Sequence, residues 1–230
     1  MSDDRDAEKR NAAERALAYV EDGMVLGLGT GSTAAHVVRA LGRRVREGLR
    51  MRGVPTSRAT HALAVECGVP LVSLVEVTRL DLTIDGADEV DPELRLIKGG
   101  GGALLREKIV ASVSDRVVIV VDSGKLVPRL GAFPLPVEVT PFAWRVVAER
   151  LAETGCTPRL RRNAHGEPFV TDEANYLLDG AYGRIDDPAR LARRIRDIVG
   201  VVEHGLFLGL AHAVIVGRAG GADVIERAGG

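Results

Sequence analysis

The sequence predicts an α/β fold, a doubly wound sheet with a second, smaller α+β domain. Short apolar runs alternate with helical patterns from Met24 to Val121, the rhythm of parallel strands joined by crossover helices. The run Val117–Val121 is uniformly apolar and β-branched, as expected of a strand covered on both faces. Near Gly131 the rhythm changes and strand-like pieces follow one another, until a last apolar run, Ala213–Val216, returns to the first pattern. The larger domain is therefore expected to be discontinuous, 1–131 and 205–230, with 132–204 as the smaller one.

Lys9–Val20 carries Ala13, Leu17 and Val20 at helical spacing. Met24–Leu28 is a strand that stops at Gly29-Thr30-Gly31-Ser32-Thr33, and Ala34–Leu41 resumes as helix. Val54–Thr56 is a brief extended piece, and Ser57 caps a helix that runs to Glu66 and ends at Gly68. Pro70–Leu74 reads as a strand or its approach, and Leu80–Ile84 as a strand running into Asp85-Gly86-Ala87-Asp88. Gly102–Val113 reads as helix, Leu135–Val139 as strand, and Pro141–Thr154 as a helix opened by proline. Thr157–Leu160, Phe169–Thr171 and Tyr176–Leu178 read as strands, and Asp187-Pro188 opens a helix to about Ile198. The Gly/Ala-rich tail from Gly220 is expected to fray.

Of the 230 residues, 46% are hydrophobic and only 3% aromatic, so the core must be built from Val, Leu, Ile and Ala. A net charge of -1 gives no global field for nucleic acid or an anionic membrane, so an anionic ligand must be caught by local groups. No apolar run approaches a membrane span, and MSDDRDAEKRN is too charged for a secretory core, which predicts a cytoplasmic protein. Cys67 and Cys156 lie far apart and read as reduced thiols. His36, His61, His165, His204 and His212 form no metal-ligand pattern. Arg159, Arg161 and Arg162 read as a solvated face.

Four segments are expected at strand ends along one sheet edge. Gly27–Thr33 offers helix N–H groups, a dipole and hydroxyls to an anion such as phosphate, or is simply a tight turn. It is neither a dinucleotide fingerprint, since Ser32 stands at the third glycine position, nor a Walker A loop. Asp85 and Asp88 stand three residues apart on a turn, where close like charges suit acid–base work, or a capping Asp suffices. Lys98 precedes Gly99, Gly100, Gly101 and Gly102, a run that costs backbone entropy and lets a ligand press against N–H groups. Glu107 follows in the next helix, as a solvated charge, a helix N-terminal acid or a base. Asp122-Ser123-Gly124-Lys125 closes the buried strand, with Lys125 as a cation or a surface charge.

The stretches GLGTGSTAAH, VPTSRAT, DLTIDGADEVD, LIKGGGGALLREKIVA, VDSGK, FPLPVEV, ANYLLD and EHGLF resemble the ribose-5-phosphate isomerase type A family, in family order and over nearly the whole chain. The resemblance implies a Rossmann-like domain with a smaller α+β domain, a homodimer or homotetramer, and no metal or organic cofactor. It implies Glu107 as the base moving a proton between C1 and C2, and Asp85, Asp88 and Lys98 as further catalytic groups. It implies Lys9, Thr30, Gly31, Ser32, Thr33 and Lys125 as substrate and phosphate contacts, with Gly99, Gly100 and Gly101 beside them. The chain departs from the family at Gly124, where members vary, and at Glu173-Ala174 ahead of Asn175, where members often carry Asn-Gly. Two other classes compete: a sugar-phosphate sensor, which has no need of Glu107 with Lys98, and a transferase, deaminase or lactonase of similar architecture. No coenzyme A site is visible, and no histidine falls in the matched acid–base motifs.

Overall fold

The computed structural model describes residues 2–227. Helix α1 spans Ser2–Ala16 and tightens into a 3-10 turn at Leu17–Tyr19. Strand β1 (Val25–Leu28), helix α2 (Ser32–Arg46), strand β2 (Arg52–Pro55), helix α3 (Arg58–Glu66) and strand β3 (Leu80–Asp85) follow. The short strands β4 (Glu89–Val90) and β5 (Leu96–Ile97) come next, then helix α4 (Leu104–Ser112) and the long strand β6 (Ser114–Asp122). The chain continues through β7 (Leu135–Val139), α5 (Trp144–Ala152), β8 (Thr157–Leu160), β9 (Tyr176–Ala181) and α6 (Pro188–Arg196). It ends with β10 (Val201–His204), β11 (Leu206–Phe207), β12 (Ala213–Arg218) and β13 (Gly221–Glu226).

The chain divides into two compact units. One takes Met1–Ala87, Arg106–Lys125 and Gly209–Gly230, and the other Asp88–Leu105 and Leu126–Leu208. The second unit thus holds the segment around Asp88 and Lys98, which the sequence reading assigned to the larger domain.

In the first unit six strands lie in the order β13-β12-β6-β3-β1-β2. The five from β12 to β2 are parallel, and β13 pairs antiparallel with β12 through Ala213↔Glu226 to Arg218↔Gly221. Residues 221–226 of the tail are therefore strand and do not fray as expected, because they extend the ladder of β12; residues 228–230 lie outside the described residues. Strands in chain order run outward from β1 on one side through β2 and on the other through β3, so the order reverses between β1 and β3. Ligands in open α/β sheets gather outside the carboxyl ends of the strands at such a point. Strand β6 is covered throughout its apolar run, with Val117–Val121 at most 2% exposed. Helix α1 packs on β12 so closely that a Cβ at Gly217 would fall 1.8 Å from the Glu8 carbonyl oxygen. Ser57 caps α3 as expected, its Oγ accepting from the Thr60 N–H at 3.0 Å, and Gly68 takes φ +72° past the helix end. Pro70–Leu74 forms no strand, only a bridge between Leu71 and Gly53, since it opens on Pro70, which has no N–H to donate, and runs into a turn at 74–76.

In the second unit an antiparallel sheet has the order β10-β7-β9-β8, and a smaller one the order β11-β5-β4. Leu135, Val137, Leu151, Leu178, Ile195 and Leu206 belong to one buried cluster, which joins both sheets to α5 and α6. Asp187 caps α6 by accepting from the Arg190 N–H, with Pro188 in the first turn. Pro141–Ala143 forms a 3-10 turn before α5 instead of its first turn. Phe169–Thr171, expected as a strand, makes only the isolated bridge Val170↔Tyr176, because the chain turns back within five residues. That turn is tied by Thr171 N–H to the Asn175 carbonyl (2.9 Å) and Ala174 N–H to the Thr171 carbonyl (3.0 Å). Ala174 is held at φ 60°, a left-handed conformation that costs a Cβ-bearing residue about 1–2 kcal/mol. Ala174→Gly is expected to raise stability by about 1 kcal/mol and Tm by about 2–4 °C. A thermal melt showing an unchanged or lower Tm would refute this account of the turn.

Candidate active site

In the first unit the turn Gly29-Thr30-Gly31 joins β1 to α2 at the switch point. Gly31 stands before the helix at φ 112°, and Ser32 and Thr33 open it. The first N–H groups of a helix have no acceptor within it, and with the dipole they favour an anion. Gly31 and Ser32 are exposed, whereas Thr33 is buried. Strand β3 delivers Asp85 against this turn. Its Oδ1 accepts from Thr30 N–H (3.0 Å) and Gly86 N–H (2.7 Å). A Cβ at Gly29 would lie 2.2 Å from that oxygen and 2.5 Å from the Asp85 Cα, so only glycine fits. Asp85 is 2% exposed and Glu107, the fourth residue of α4, is 4% exposed.

The Thr30 hydroxyl lies 2.7, 2.9 and 3.1 Å from those of Thr56, Ser57 and Thr60. Thr60 in turn donates to the Gly29 carbonyl at 2.9 Å, and Thr56 to the Leu28 carbonyl at 3.0 Å. Sequence reasoning missed this cluster as part of the site. Its signal was three hydroxyl residues in the five from Thr56 to Thr60, directly after the strand beside β1.

Beyond β6 the 3-10 turn Ser123–Lys125 carries Lys125. The Glu8 carboxylate on α1 fixes it, accepting from Ser123 N–H (2.9 Å) and from its hydroxyl (2.8 and 3.1 Å). These bonds, the backbone one foremost, hold the Glu8 carboxyl below the usual range. Lys9, the next residue, is half-buried, as is Lys125.

In the second unit Lys98 follows β5 and is 3% exposed, its ammonium 5.4 Å from the centroid of the Phe207 ring. Its N–H donates to the Gly205 carbonyl at 2.9 Å. A Cβ on Gly205 would lie 2.2 Å from the Lys98 carbonyl oxygen, so glycine is required there too. Gly99 (φ 102°) and Gly102 (φ 82°) adopt left-handed backbone. Gly99 is buried, and Gly100 and Gly101 are exposed. The Gly100 N–H donates to Asp88 Oδ2 at 2.7 Å, and the Gly102 N–H to the Gly99 carbonyl at 3.0 Å.

Two expectations are corrected. The glycine N–H groups do not all face a ligand, since those of Gly100 and Gly102 are engaged within the loop and by Asp88. The four polar segments do not share one sheet edge. Those after β1, β3 and β6 lie at the carboxyl edge of the six-stranded sheet, and the one after β5 belongs to the three-stranded sheet of the second unit. Among the described residues, no group of three or more His, Cys, Asp or Glu side chains is arranged to hold a metal.

The family model of ribose 5-phosphate isomerase A (phosphoriboisomerase A) matches residues 52–221. The chain belongs to this family. Ribose-5-phosphate isomerase A of Parvibaculum lavamentivorans is 54% identical to it, over 96% of this chain and 98% of its own. That of Nitrobacter hamburgensis is 54% identical over the same shares. Among solved structures, ribose 5-phosphate isomerase A of Methanocaldococcus jannaschii superposes with a TM-score of 0.90 at 43% identity, covering 95% of this chain and 97% of its own. A ribose-5-phosphate isomerase in complex with phospho-erythronic acid reaches 0.94 at 40% identity, covering 97% and 99%. Membership of the ribose 5-phosphate isomerase A family agrees with the fold described above, a mainly parallel sheet with a separate antiparallel portion.

Proposed function

We propose that this chain interconverts D-ribose 5-phosphate and D-ribulose 5-phosphate through a cis-enediolate, in the non-oxidative pentose phosphate pathway. The observation that carries the reading is identity above one half with enzymes of that name over nearly the full length of both chains. Glu107 takes the proton from C2 as the C1 carbonyl oxygen becomes the enediolate oxygen; the O2 hydroxyl proton passes to O1, and the same carboxyl returns its proton to C1 as the C2 carbonyl forms. Lys98 stabilises the negative oxygen charge. Asp85 and Asp88 serve ring opening, moving a proton between O1 and the ring oxygen. The Thr30–Thr33 turn binds the phosphate, with Lys9 and Lys125 as cations, and so fixes the reacting carbons. The partner is a small sugar phosphate, not nucleic acid or membrane, and no described helix is long and apolar enough to cross a membrane. We read the assembly as a homodimer or homotetramer in the cytoplasm.

The test is ketose formation from ribose 5-phosphate by the purified protein, with and without EDTA. Rapid turnover indifferent to EDTA is expected. A folded sample that binds ribose 5-phosphate without turning it over overturns the reading in favour of a sensor. A phosphorylated four-carbon aldonic acid carries a carboxylate where the pentose carries its enediolate oxygens. Phospho-erythronic acid is therefore expected to inhibit competitively and to bind more tightly than substrate. Inhibition that is absent, or that lowers kcat alone, counts against the enediolate.

A further inference from the structure

The hairpin that follows β8 sends two side chains onto the glycine loop. Arg161, expected on a solvated face, is only 15% exposed in its side chain. Its Nε and Nη2 hold the Asp179 carboxylate on β9 in a bidentate pair, the Nε contact at 2.9 Å. Its Nη1 donates to the Gly99 carbonyl at 2.9 Å and to the Gly100 carbonyl at 3.0 Å. Four of the five N–H donors of the guanidinium are thus committed. Phe169, paired to Arg161 by a 2.9 Å backbone bond, packs its ring where a Cβ of Gly102 would stand, 2.5 Å away.

The Gly99 carbonyl and the Gly100 N–H belong to one planar peptide unit. Arg161 grips its oxygen, and Asp88 accepts from its nitrogen at 2.7 Å. The peptide is therefore clamped from both sides, and its orientation decides where the Asp88 carboxylate rests. A glycine run has little stiffness of its own, so something outside it must set that orientation. A neutral donor could satisfy a carbonyl, but only a planar fork reaches two carbonyls and a carboxylate at once.

We propose that Arg161 is a positioning residue for the isomerisation: held by Asp179, it orients the Gly99–Gly100 peptide and through it Asp88. The proposal rests on the reading of Asp88 as part of the acid–base set. Arg161 touches neither the phosphate turn nor the reacting atoms in this account, so its loss acts on turnover and leaves phosphate binding alone.

The experiment is steady-state kinetics on Arg161→Ala, Arg161→Lys and Asp179→Asn, with a thermal melt of each. Arg161→Ala is expected to lose up to about 10²-fold in kcat, the cost of misplacing a site group by about an ångström, with KM nearly unchanged. Millimolar guanidinium is expected to restore part of that kcat, and an equal concentration of sodium none of it. Arg161→Lys is expected to fall between, because an ammonium cannot reach both carbonyls and Asp179. Should Arg161→Ala fail to fold, Arg161→Lys and Asp179→Asn carry the test by the same split of kcat from KM. Folded variants with wild-type kcat, or with a lower Tm and no change in either kinetic constant, overturn the proposal. A wild-type protein that does not isomerise ribose 5-phosphate overturns the functional reading instead, so the two failures are distinct.

Discussion

Glu107→Gln is expected to lower kcat by about 10²–10⁴-fold, the range that a positioned proton-transfer group supplies. The two side chains are nearly isosteric, and position 107 is 4% exposed in the fourth place of α4, so the shape of the helix is expected to survive. Phosphate binding should survive too, since the Thr30–Thr33 turn lies between β1 and the start of α2, away from α4 in the chain. The check is kcat and KM for ribose 5-phosphate beside a titration with phospho-erythronic acid. A variant that keeps more than about a tenth of wild-type turnover removes Glu107 as the base.

Gly29→Ala is expected to fail differently, in fold and binding together. The added carbon would sit 2.2 Å from Asp85 Oδ1 and 2.5 Å from its Cα, and backbone at the end of β3 cannot give way as a flexible side chain can. Overpacking of this kind costs about 1–3 kcal/mol. For a chain of this size, each kcal/mol lowers Tm by about 2–4 °C. The shift that relieves the clash also moves Thr30, whose N–H is bound to the same carboxylate, so KM is expected to rise. Differential scanning calorimetry and kinetics on one preparation check both parts, and a variant with wild-type Tm and KM would show that the turn has room to spare.

Much of the first unit was legible because its signals are local. Val117–Val121 reads as a buried strand and Ser57 as a cap, and both are found. The glycines after Leu28 and Lys98 read as places for a ligand to press, whereas a Cβ at Gly29, Gly100 or Gly102 would meet Asp85, Asp88 or Phe169. The short strands β4, β5, β10 and β11 were not legible. Each is only two to four residues long, too short for periodicity to register, and β5, β10 and β11 depend on partners far away in the chain, as Phe207 pairs with Leu96. β13 was hidden for another reason: its partner β12 is adjacent in the chain, but the small residues at its start imply looseness. Within the candidate site, the residues that sequence reasoning names are those with obvious charge, and residues that hold others in place escape it. Thr56 and Thr60 look like ordinary helix-entry residues until their hydroxyls are seen around Thr30, and Arg161 looks like a surface charge until its four bonds are counted.

The interleaving of the two units along the chain has a consequence for synthesis. On the ribosome β6 is made early, but its outer neighbour β12 is translated only after residues 126–208. At about 5–20 residues per second, that delay is on the order of ten seconds. Throughout it, one edge of a strand whose centre, Val117–Val121, is wholly apolar lacks its partner, and an unpaired edge is a template for other chains. The finished protein hides this weakness, since β12 pairs along β6 and β13 in turn along β12. Losses during production are therefore expected to depend on translation speed and on chaperones more than on the melting temperature of the folded enzyme.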